Sequence, residues 1–166
     1  MKKLIIGLTL LASMSSFGST ENNRERILEV LNTNYSSIRH KADPAGVGEK
    51  VQKAHVITDN QADAIIHVLL NTKPSRDLST KSISNLILMK TTLTESQVTI
   101  LKTIVDVAKA GNDFNENIVA AGVLFLDDVD PSLLPRLMRI ANNAKYSNGI
   151  DDTSLFMQVL LDDRNL

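Results

Sequence analysis

The stretch TESQVTILKTIVDVAKAG, Thr94 to Gly111, decides the fold. Thr94 and Gln97 form a T-x-x-Q start, in which each side chain satisfies the other residue's backbone N–H. Val98, Leu101, Ile104 and Val105 recur at helical spacing and face inward, and Gly111 marks the stop. The same T-x-x-Q opens TDNQADAIIHVLL at Thr58, 36 residues upstream. Asp130, 36 residues downstream, is another good N-cap and is followed by a first-turn proline, Pro131.

The other apolar segments also read as helices. Thr20 caps a first one with Ile27, Leu28, Val30, Leu31, Tyr35 and Ile38 inward. Asp43-Pro44 opens a weaker one with Val47, Val51 and Ala54, and a short strand from Val51 to Ile57 competes with it. Ser79 or Thr80 starts a helix carrying Ile83, Leu86, Ile87 and Met89. Asn115 starts another with Ile118, Val119, Val123 and Phe125, and the last carries Leu155, Phe156, Val159 and Leu160.

At a spacing of 36, without gaps, eight sets of apolar residues coincide. In the first helix of each pair these are Ala62, Val98, Leu134; Ile65, Leu101, Leu137; Val68, Ile104, Ile140; and Leu69, Val105, Ala141. In the second they are Ile83, Val119, Leu155; Ile87, Val123, Val159; Leu88, Leu124, Leu160; and Met89, Phe125, Leu161. Leu86, Gly122 and Gln158 break the pattern. One hairpin cannot bury its apolar stripe alone, whereas stacked hairpins share a continuous core. The expectation is an all-α chain: a short right-handed solenoid of three to four antiparallel helical hairpins. Its units are 58–93, 94–129 and 130–166, with 19–57 as a divergent first copy. An irregular helical bundle is the alternative.

The hairpin length and the Leu133-Leu134-Pro135 start resemble HEAT-type helical repeats over Thr58 to Asp163. The acidic and basic residues usual at the turn of those repeats are not clearly present. The resemblance implies a protein-binding scaffold, by analogy of architecture alone.

Residues 1–18 read as a Sec signal peptide of Gram-negative type. Lys2 and Lys3 precede an apolar run from Leu4 to Ala12, and Ser16 and Gly18 suit cleavage after Gly18. The run falls short of the about 20 residues that a membrane span requires. The expected location is therefore periplasmic or secreted. Losing two of 18 basic residues leaves 16 against 19 acidic ones, a formal charge of −3. That mild acidity argues against nucleic acid or an anionic membrane as partner. With no cysteine in the chain, export needs no disulfide chemistry, and no cofactor is expected.

Constellations with chemical meaning are few. His40, His55 and His67 have no zinc-pair spacing. Asp127, Asp128 and Asp130 form the densest carboxylate group and a weak calcium candidate, although they lack the alternating ligands of an EF-hand loop. Helix capping accounts for Asp130 and for Asp151 or Asp152. No serine-nucleophile motif is present. What remains is a surface: the columns Lys81, Asn117, Thr153 and Asn85, Ala121, Met157 would line a groove along the second helices that suits a peptide or helix. The function expected is a non-enzymatic protein-binding or adaptor module. The alternatives are a bundle that binds a small apolar ligand or inhibits a secreted enzyme, and a hydrolase with a site built from scattered polar residues.

Overall fold

Alternation of helix starts and short connections dictates helices that pack side by side, and the computed structural model has that form. It describes residues 19–34, 44–72, 79–108, 114–144 and 151–162; the signal-peptide reading, His40 and Gly111 lie outside them. The described residues are all-α, with no strand among them. The helices are α1 (19–33), α2 (Pro44–Lys53), α3 (Asp59–Asn71), α4 (Thr80–Met89), α5 (Glu95–Val107), α6 (Glu116–Phe125), α7 (Leu134–Asn143) and α8 (Asp152–Asp162). A 3-10 turn, Pro131–Leu133, leads into α7.

Local chemistry sets the boundaries. Thr58 and Thr94 both close the reciprocal capping box with Gln61 and Gln97. The side chains of Ser79 and Asn115 accept from the backbone N–H three residues on, and Asp151 does the same for Ser154. Two boundaries differ from the sequence reading. Thr20 is already inside α1 and is buried, and its hydroxyl accepts from Ile57 N at 3.3 Å instead of capping the helix. The segment from Val51 continues α2 to Lys53, where a strand had been the competing reading.

The helices pair in a regular order. Each of α3, α5 and α7 packs against the helix that follows it. The same three pack against one another in sequence, as do α2, α4, α6 and α8. First helices thus form one layer and second helices another, with the core between them. Seven of the eight apolar sets lie in that core or against it. The largest fully buried side chain is Phe156, which meets Phe114 edge-on at 5.7 Å between centroids. Such a pair contributes about 0.5–1.5 kcal/mol beyond its burial. The eighth set is a correction: Met89 and Phe125 are 81% and 76% exposed and Leu161 is 40% exposed. A helix turns by about 100° per residue, so three consecutive apolar residues cannot all face one core.

Candidate binding surface

Two of the second helices, α4 and α6, are tied down at both ends, and these ties determine what surface is left. Beyond its cap, Gln61 Nε2 donates to the carbonyls of Ile87 and Lys90 at 2.9 and 2.7 Å. Gln97 Nε2 donates to those of Val123 and Leu126 at 3.1 and 2.9 Å, which is the same arrangement 36 residues on. Both glutamines are fully buried. Each one caps its own helix and also donates to carbonyls at the end of the next, where a helix runs short of internal donors. In the first hairpin Arg24 takes this part, with Nη2 donating to Ala54 O at 2.8 Å and Nε to Val51 O at 3.4 Å. In the last hairpin Leu133 stands at the corresponding position and has no donor to offer.

The opposite ends of the second helices are stitched between hairpins. Ser79 N donates to Asn117 Oδ1 and Asn115 N donates to Thr153 Oγ1, both at 2.8 Å. Two of the six groove candidates therefore bond into the seams between second helices. Met157 fills the seam further along: a Cβ at Gly122 would lie 2.6 Å from Met157 Cε, so the break in the apolar pattern at Gly122 makes room for this side chain. Ala121 is half-buried and Lys81 is exposed. Asn85 is half-buried, and its Oδ1 is enclosed with no hydrogen-bond partner among the described residues.

Where the seams reach the C-terminal ends of the second helices, they open into two clefts. One, of about 310 Å³, is lined by Lys50, Lys53 and Ala54 of the first hairpin and by Asn85, Leu88 and Met89 of the second. The other, of about 210 Å³, is lined by Leu86, Met89, Lys90, Leu124 and Phe125. Met89 is the ridge between them. Lys90 Nζ is anchored on Leu126 O at 2.8 Å, 4.0 Å from the Asp127 carboxylate. Lys53 pairs with Glu49 at 2.5 Å, and this hydrogen bond, ahead of the ammonium charge itself, holds the Glu49 carboxyl below the usual range. Both of those groups are exposed, so the pair adds little stability.

The remaining polar candidates have separate uses. Asp127 projects into solvent, Asp128 Oδ1 accepts from Val129 N at 2.7 Å, and Asp130 Oδ1 accepts from Ser132 N at 2.7 Å. Among the described residues no three His, Cys, Asp or Glu side chains meet in a metal-binding group. His55 is exposed. His67 Nε2 meets Asp106 Oδ1 at 2.7 Å and joins α3 to α5. Of the residues that line the two clefts, sequence reasoning places only Asn85 on a binding surface and reads Ala54, Leu86, Leu88, Met89, Leu124 and Phe125 as core positions. The signal that could have found Met89 and Phe125 is their place in runs of consecutive apolar residues, Leu86 to Met89 and Val123 to Leu126, too long for one helix face.

No helix among the described residues is long and apolar enough to cross a membrane. No protein-family model, curated protein or solved structure gives a significant match to this chain.

Proposed function

We propose that this chain is an exported, non-enzymatic protein-binding module, built as a short HEAT-like array of hairpins with a period of 36 residues. The observation that carries the binding reading is the exposure of Met89 and Phe125, 81% and 76%, at equivalent places in consecutive hairpins. Large apolar side chains aligned on one edge, beside clefts, are the usual anchors of a protein interface. The period is supported by the glutamine ties at Gln61 and Gln97 and by the caps at Ser79, Asn115 and Asp151. Export is supported by the character of residues 1–18. Of the original groove positions, Asn85, which lines a cleft, and Lys81, exposed at the other end of α4, remain candidates for partner contact. Asn117, Ala121, Thr153 and Met157 contribute by shaping the seams.

The test is a cross-linking pull-down of the tagged full chain against its Met89→Glu/Phe125→Glu variant, after circular dichroism has established equal helicity. A protein recovered reproducibly with the parent and lost with the variant is the expected result. Recovery of the same proteins by both chains would overturn the assignment of the edge.

A further inference from the structure

We infer that Met89 is an oxidation site that switches the edge off: a peroxide converts its thioether to the sulfoxide, and the edge then releases its partner. This step rests on the reading of the edge as a protein-binding surface and gives that surface its regulation. The chain has five methionines and no cysteine, so thioethers are its only sulfur. Three of them, Met89, Met138 and Met157, lie among the described residues, and their surroundings differ. Met138 and Met157 are partly buried and pack against the core. Met157 is held further, with Sδ and Cε in the space beside Gly122. Met89 is the last residue of α4 and is 81% exposed. An oxidant must reach the sulfur lone pair, and Met89 is the one of the three that it reaches without moving the core.

Position gives that chemistry its consequence. Among the described residues Met89 is the one that lines both clefts, with Leu88 on one side and Leu86, Leu124 and Phe125 on the other. The sulfur attacks one oxygen of hydrogen peroxide and the O–O bond breaks. The departing hydroxide takes the proton of the transferred oxygen and leaves as water. Sulfur is oxidised by two electrons and the peroxide is reduced by two. A flexible apolar side chain becomes a polar, chiral one. Closed under a partner, the new oxygen is an acceptor that has lost its water, a cost that the thioether does not carry. The core is left as it was, so the change acts on binding and spares the fold. Methionine sulfoxide reductases reverse the step. On the export reading the chain works outside the reducing cytosol, where peroxide meets it directly.

The test treats the tagged full chain and its Met89→Leu variant with hydrogen peroxide, which is removed before any binding step. Leucine keeps an apolar side chain of similar volume and has no sulfur. Peptide mass spectrometry is expected to show Met89 oxidised several-fold faster than Met138 or Met157, with helicity by circular dichroism unchanged at that stage. In the pull-down above, recovery of the edge-dependent protein should fall about ten-fold for the treated parent. It should hold for treated Met89→Leu and return once the parent has been treated with a methionine sulfoxide reductase. Oxidation of Met89 no faster than that of the other two overturns the inference, and so does recovery indifferent to its oxidation; the binding edge stands in both cases. An equal loss from treated Met89→Leu also overturns it, because the effect then lies at another residue. An untreated parent that recovers no edge-dependent protein overturns the binding reading and its regulation together.

Discussion

The two central hairpins and the last one share a spacing but finish differently. In α3 and α5 a buried glutamine holds the last carbonyls of the following helix, whereas in the last hairpin Leu133 holds nothing. Ile100, fully buried in α5, is replaced at the equivalent position of α7 by the exposed Arg136. The inner hairpins are written to be covered on both sides. In the last, the equivalent side of α7 at Arg136 faces water.

The comparison breaks first at Gln97. Gln97→Ala takes the buried donor from Val123 O, leaves Leu126 O with Lys90 Nζ alone, and opens the capping box. It should lower stability by about 2–4 kcal/mol, read as a shift in the urea midpoint. Leu133→Ala, at the same position in the half-exposed last hairpin, should cost clearly less; an equal loss would erase the distinction. Gly122→Ala comes next, at about 1–2 kcal/mol, because Met157 must move from the seam that it fills. Arg24→Ala should cost about 1 kcal/mol in the same titration, less than Gln97→Ala, because the guanidinium is partly exposed and water can replace it.

The smallest effect is at Asp151. Hydrogen bonds from the Ser154 hydroxyl and then its backbone N–H hold the Asp151 carboxyl below its ordinary value. A carboxyl lowered in the folded state contributes stability above its unfolded pKa, about 3.9, and loses it as the pH falls through the folded value. Asp151→Asn should therefore be slightly less stable than the parent at pH 7, with the gap closing below about pH 4. A gap that widened in acid would contradict this role for the carboxylate.

Much of the fold was legible because it is local. Seven apolar sets, the caps at Thr58, Thr94, Ser79 and Asn115 and the turn at Asp130-Pro131 all follow from spacing and cap chemistry. The surface was harder to read. Ile87, Leu88 and Met89 are equally apolar, and only the 100° turn per residue sends Met89 outward. Columns at one spacing do not distinguish a groove from a seam, so Asn117 and Thr153 read as a binding face although their oxygens bond to the preceding hairpin. The second use of Gln61 and Gln97 was not legible either, since it joins residues 26 and 29 apart. Arg24, chemically unlike a glutamine, gave no hint that it serves the same carbonyl pair.

The central claim is that the edge carrying Met89 and Phe125 is where this protein meets another. The most direct measurement places a photoreactive phenylalanine analogue at position 125 and, separately, at the exposed Thr99 on the first-helix layer. Irradiation in the native extract, followed by mass spectrometry, reads out the adducts. The account predicts a discrete protein adduct from position 125, either a second copy of the chain or another protein, and none from position 99. Adducts from position 99 alone, or none from position 125, would contradict it.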